Sequence, residues 1–121
     1  MKTMITKNFS THEFRCRCEC GLDDIDLDLV KKLQIIRDLY GRPMSISSGC
    51  RCDSHNENVG GEPYSYHLQC KAADIRISKY NRDGRVLVIQ KSLELGLSVG
   101  INDFFLHLDI RPVSQQRVFL Y

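Results

Sequence analysis

The sequence predicts an α+β fold, a small antiparallel sheet packed against helices, in one domain spanning residues 1–121. Three observations carry this expectation. Two segments place apolar residues at helical spacing, the last third alternates apolar and polar residues, and the two patterns mix without regular βαβ alternation. The first ~20 residues show neither periodicity and read as irregular structure. The first helix follows, with Asp23, Asp24 and Asp26 as N-cap candidates and favourable charge at the positive helix end. Its inward face is Leu29, Leu33, Ile36 and Tyr40, with Val30 and Leu39 beside it, and Gly41 and Pro43 stop it. Met44 to Ser48 reads as a short strand. Gly49, Gly60, Gly61 and Pro63 then mark a long loop, of the length that is usually functional or disordered. Lys71 to Ile77 reads as a strand with Ala73, Ile75 and Ile77 on one side and Asp74 and Arg76 on the other. Asn81 to Leu95 reads as a second helix, with Val86, Ile89 and Leu93 inward and Gly96 as its stop. The remainder reads as two or three strands. In one of them Leu106, Leu108 and Ile110 share a face, and Phe105, His107, Asp109 and Arg111 share the other.

Composition narrows the function. Hydrophobic residues are 42% and charged residues 26%, which argues against disorder. The 17 basic residues are scattered among 15 acidic ones, so no basic stripe invites nucleic acid. No apolar run approaches the ~20 residues of a transmembrane helix, and the N-terminus lacks an apolar signal stretch. The expectation is therefore a chain made in the cytoplasm, with no nucleic-acid or membrane partner. Six cysteines, at 16, 18, 20, 50, 52 and 70, are many for this length. Their C-x-C-x-C spacing is not that of ordinary zinc fingers. A second metal, disulfides and free thiols all remain open for them.

Chemistry concentrates where core strands carry polar residues. Asp74 interrupts one apolar strand and His107 and Asp109 another, and buried charges are costly unless paired or bound to metal. His67 lies at the end of the long loop, seven residues before Asp74. Two imidazoles and a carboxylate are the donor set of a catalytic zinc with a fourth position left open. His12 and His55 have no such strand carboxylate nearby and are read as non-ligands.

The stretch from Ser65 to Asp74, SYHLQCKAAD, resembles the S-x-H-x-x-G-x-A-x-D motif of the M15 family of zinc peptidases. That family includes D-Ala-D-Ala carboxypeptidases and the L-alanoyl-D-glutamate endopeptidases of phage endolysins. His107-Leu108-Asp109 resembles its second metal-binding segment, and Ser48-Gly49-Cys50-Arg51 its S-G-x-R segment. His55 to Ser65 is similar to the H-N-x-x-V-G-G-x-x-x-S stretch, and Phe14 to Gly21 to a cysteine-bearing N-terminal segment of one branch. The resemblance covers roughly Phe9 to Pro112 and implies a Hedgehog/DD-peptidase-like fold.

It further implies that His67, Asp74 and His107 hold one catalytic Zn²⁺. Arg51 would bind the scissile carbonyl oxygen or a substrate carboxylate, for which its planar fork is suited. Ser65 would hydrogen-bond within the loop or touch substrate. The implied reaction is metal-assisted hydrolysis of peptide bonds in peptidoglycan stem peptides, by a monomer that acts on the cell wall after release or is carried by a phage particle.

Two positions depart from the pattern. Cys70 replaces the motif glycine, which is strained if the position needs φ > 0. Where many relatives carry an acid three residues before the last histidine, this chain has Phe104. Asp109, ~7 Å along the strand from His107, is the favoured general base, with an orienting role for it as the alternative. Asp103, ~13 Å away in a regular strand, is the second candidate. Arg111 shares the face of Asp109 and can pair with it. The departures leave a second function open: a catalytically weak zinc-containing wall-binding module of the same fold. A third is a structural zinc protein whose cysteines hold the main metal.

Overall fold

A computed structural model describes residues 3–121 and confirms the α+β class. Three helices, α1 (Leu27–Tyr40), α2 (Asp53–Asn58) and α3 (Arg82–Glu94), accompany five strands. These are β1 (Ile46–Ser48), β2 (Ala72–Arg76), β3 (Ser98–Ile101), β4 (Phe105–Asp109) and β5 (Val118–Leu120). The sheet order is β1-β2-β4-β3-β5. The first three pairings are antiparallel. β5 pairs parallel with β3, so the sheet is mixed and not wholly antiparallel as the sequence suggested.

Of the three aspartates offered as caps, Asp26 caps α1, its side chain accepting from the Leu29 N–H at 3.0 Å. Gly41 ends the helix at φ 75°, a left-handed conformation that costs glycine little. Leu29, Val30, Leu33 and Ile36 are buried, while Leu39 is exposed. In α3, Asn81 is the cap and the buried face is Gly84, Val88 and Ser92. Val86, expected inward, is 62% exposed. Four apolar residues, Val86 to Ile89, follow one another around this helix, so periodicity alone leaves its inward face undetermined. Ile89 and Leu93 are half-buried against the core.

The apolar side of the sheet, Ala73, Ile75, Leu106, Leu108 and Val99, packs with α1 and with Val88 of α3 into one core. The supposed loop after β1 contains α2. This six-residue helix buries only Asn56, so it carries no apolar stripe for a sequence reading to detect. A 3-10 turn, Tyr66–Gln69, then leads into β2. Among the described residues, no helix is long and apolar enough to cross a membrane.

Candidate metal centre

Strand register assembles the centre. Asp74 of β2 stands directly opposite His107 of β4, and the row continues to Ser48 on β1, Gly100 on β3 and Phe119 on β5. Alternation puts these positions on the face opposite the apolar core. His67 arrives from the 3-10 turn, whose N-cap is Ser65. The Ser65 hydroxyl accepts from the His67 backbone N–H at 3.2 Å. Of the two roles expected for Ser65, the hydrogen bond within the loop is thus present, and the residue also borders the cleft described below.

The side chains of His67, Asp74 and His107 converge, with one donor atom from each lying within 4.8 Å of the others. Asp74 Oδ1 is 3.1 Å from His67 Nε2 and 3.2 Å from His107 Nδ1. The outer nitrogen of each ring is anchored elsewhere. His67 Nδ1 is 2.6 Å from the Gly49 carbonyl, which can only accept, so that nitrogen carries the hydrogen. His107 Nε2 is 2.8 Å from Asp109 Oδ2. Both anchors turn the inner nitrogen toward Asp74, where a metal would take the place of a shared proton, the arrangement by which proteins orient metal-binding histidines.

The donor set fits a metal. Metal–nitrogen distances of about 2.0–2.1 Å imply tetrahedral donor separations of roughly 3.3 Å, close to those around Asp74 Oδ1. All three residues are buried, and a carboxylate among imidazoles suits a borderline divalent ion.

Two arginines and the two histidines surround the carboxylates. Arg51 Nη2 donates to Asp74 Oδ2 at 3.3 Å, Nη1 to Asn56 Oδ1 at 3.2 Å, and Nε to Ser48 Oγ at 3.0 Å. Each terminal nitrogen carries a second hydrogen beyond these bonds. Burial pushes the Asp74 carboxyl up, but hydrogen bonds with His107 and His67 outweigh it and hold it well below the usual range. Burial likewise disfavours charge on His107, yet hydrogen bonds to Asp109 and Asp74 outweigh it and raise the ring above its ordinary value.

Asp109 is fully buried and engaged on both oxygens. Arg111 donates through Nε to Oδ1 at 2.8 Å and through Nη2 to Oδ2 at 2.5 Å. Burial pushes this carboxyl up, but Arg111 and His107 bring it down to about 2. The sequence had offered Asp109 as base. The structure places it behind His107, on the nitrogen turned away from Asp74. Asp103 is not brought to the centre. It lies beyond the start of β4, on the surface, and pairs with Lys79 at 3.4 Å.

A cleft of about 630 Å³ reaches the centre along His107 and Arg111. The loop contributes Glu62, Tyr64, Ser65 and Tyr66, and the C-terminal segment Arg117, Phe119 and Tyr121. The Phe119 and Tyr121 rings stand 5.4 and 6.3 Å from that of His107. Gly100 permits this, since a Cβ there would meet Phe119 Cε2 at 2.5 Å. Gly61 is under a similar constraint: its Cβ would lie 2.0 Å from Asn56 Oδ1.

Sequence reasoning missed Asn56, the Gly49 carbonyl and the C-terminal aromatics. The first two lie inside the H-N and S-G-x-R segments, so the motifs held the signal without the role. Nothing local marks Phe119 and Tyr121, which reach His107 only through β5 pairing.

Cys70 takes the left-handed conformation that the motif glycine would occupy, at φ 55°, and is disulfide-bonded to Cys50. For these two cysteines the disulfide alternative holds. Their sulfurs are thereby withdrawn from the metal centre. His12 and His55 lie outside the centre's donor group.

Comparison with known families matches the peptidase M15 model over residues 7–109. A search of curated proteins returns no significant match. The matched span holds β1, β2 and β4 with His67, Asp74, His107 and Arg51, while β5 lies outside it. The chain belongs to the peptidase M15 family.

Proposed function

We propose that this protein is a zinc-dependent peptidase acting on the stem peptides of peptidoglycan. The observation that carries the reading is the convergence of His67 Nε2, Asp74 Oδ1 and His107 Nδ1 at the edge of an open cleft. When bound there, zinc supplies Lewis acidity, polarising a carbonyl and acidifying water. The remaining chemistry belongs to side chains. Gly49 and Asp109 fix the tautomers of the two histidines, and Arg111 locks Asp109 in place. Arg51 holds Asp74 and turns its spare N–H groups to the substrate carbonyl as negative charge develops on oxygen. Arg117, exposed beside the cleft, suits a carboxylate on the peptide.

With Asp109 engaged, we assign it an orienting role. The proton lost by the attacking water then passes to Glu62, the one acidic side chain bordering the cleft among the described residues. E62Q would lower kcat and shift the acid limb of the pH profile, while leaving zinc content unchanged.

The wall-binding alternative draws support from one observation: among the described residues, no unpaired carboxylate joins the three donors. Zinc-loaded protein incubated with peptidoglycan fragments, beside H67A, decides between the two by mass spectrometry. New peptide products absent from H67A support the peptidase and name the bond. Unchanged fragments that nevertheless bind the zinc-loaded protein support the module.

A further inference from the structure

The family assignment leaves four cysteines unused. Cys16, Cys18 and Cys20 lie on the N-terminal arm, and Cys52 is the N-cap of α2. Their sulfurs all fall within 4.8 Å of one another. Cys16 to Cys18 is 3.4 Å, Cys18 to Cys52 is 3.5 Å and Cys16 to Cys52 is 3.8 Å. A disulfide brings its two sulfurs to about 2.05 Å and leaves the others apart. These three separations form one near-equilateral face, with Cys20 Sγ within 4.8 Å of each corner, and zinc–sulfur bonds of about 2.3 Å give tetrahedral edges of roughly 3.8 Å. We infer that Cys16, Cys18, Cys20 and Cys52 form a second metal site, a closed four-thiolate centre for a thiophilic divalent ion such as zinc.

Two further observations point the same way. The first is the backbone. In an extended strand, alternate cysteines would spread their sulfurs ~7 and ~13 Å apart. Here the arm doubles back: Glu19 adopts φ 64° and Gly21 φ 96°, and the turn closes through Glu19 N–H to Cys16 O and Cys16 N–H to Leu22 O. A left-handed glutamate is uncommon, and an ion gripping the thiols on both sides of it supplies a reason to hold it there. The second is the pattern of donors to sulfur. The Cys52 N–H points at Cys16 Sγ and the His55 N–H at Cys52 Sγ, each at 3.4 Å. Backbone N–H groups aimed at sulfur stabilise thiolate, the form a metal requires.

The site's position gives it a purpose. Phe14, just before the arm's cysteines, lies so close to Gly49 that a Cβ there would meet its carbonyl oxygen at 2.6 Å. The Gly49 carbonyl orients His67. Cys52 follows Arg51 and caps the helix that carries Asn56. An ion joining the arm to Cys52 therefore braces the two segments that hold His67 and Arg51, while touching neither. Four thiolates leave no open coordination position, so the role is structural.

Elemental analysis of reduced, zinc-saturated protein tests this. The expected content is two zinc ions per chain in the parent, one in H67A/H107A and one in C18S/C20S. Cobalt substitution of H67A/H107A should show strong thiolate-to-cobalt charge-transfer absorption, and thiol reagents should react with the four cysteines only after the metal is stripped. If H67A/H107A binds no zinc, or its cobalt form lacks sulfur bands, the inference fails even when the peptidase reading survives. Should C18S/C20S fail to fold, the double-histidine variant still decides. Loss of wall-fragment cleavage with both ions bound would sink the peptidase reading alone.

Discussion

The molecule gathers potential metal donors in two places, and they are built differently. His67, Asp74 and His107 are buried on a sheet, two of them locked opposite each other by strand register. The four cysteines sit on an arm and a helix cap, and Cys18 and Cys20 are exposed. The first cluster mixes nitrogen and oxygen donors, stands beside a cleft and has every outer atom anchored. The second is all sulfur, and a turn rather than a ladder sets its geometry. Three donors on a rigid sheet beside a cleft suit chemistry, while four thiols gathered by a turn and a helix cap suit bracing.

The sharpest way to break this comparison is H67A. It should cut kcat/KM on wall peptides by roughly a thousandfold or more, several kcal/mol of transition-state stabilisation. It should also leave the cysteine cluster's metal in place. A variant that keeps activity would remove His67 from the centre.

Next in size is D109N. An asparagine keeps the shape but loses the charge facing His107 and Arg111. Zinc affinity at the histidine centre should fall by about 10–100-fold, as expected for the partner of a ligand. If Asp109 were the base, kcat would fall with affinity intact, so competitive chelator titration beside steady-state kinetics separates the roles.

Acidity should also tell the clusters' surroundings apart. Hydrogen bonds to Asp109 and Asp74 outweigh burial and raise the pKa of His107, so zinc competes with a proton at this ring. Apparent affinity at this centre should rise with pH and continue rising past 6.5. In the metal-free protein the sign reverses. A raised folded pKa adds stability that is complete below the unfolded value and is lost as pH rises through the folded one. Zinc titrations and denaturant melts across pH 5–9 check both. An affinity already flat below pH 6.5 would argue against His107 as ligand.

Two smaller substitutions probe the packing on the two sides of the sheet. G100A forces a methyl against Phe119 and Tyr121 and should cost about 1–3 kcal/mol in denaturant melts, through displacement of β5. S92A removes a buried hydroxyl without a hydrogen-bond partner from α3, and should be neutral or stabilising by up to ~1 kcal/mol.

What the sequence revealed follows the range of the forces involved. Asp26 and Gly41 bound α1 because caps are local chemistry. Alternation correctly put Asp74 on a polar face and, separately, His107 and Asp109 on another. That Asp74 faces His107 directly needed the β2–β4 register, which no single segment contains. The direction of β5 is equally non-local, since a 3-10 turn at Val113–Gln115 intervenes before it pairs with β3. Asp109 shows the limit most clearly. Its parity with His107 was legible, but which nitrogen it meets, and that Arg111 occupies both its oxygens, depends on side-chain packing. α2 escaped notice because polar residues in a short surface helix look like a loop.

The most direct test of the central claim is an anomalous difference map, recorded at the zinc edge from crystals grown with zinc. The account predicts a peak about 2.0–2.2 Å from His67 Nε2, Asp74 Oδ1 and His107 Nδ1, with its remaining side open to the cleft. A zinc-saturated crystal with no density among these three atoms would contradict it.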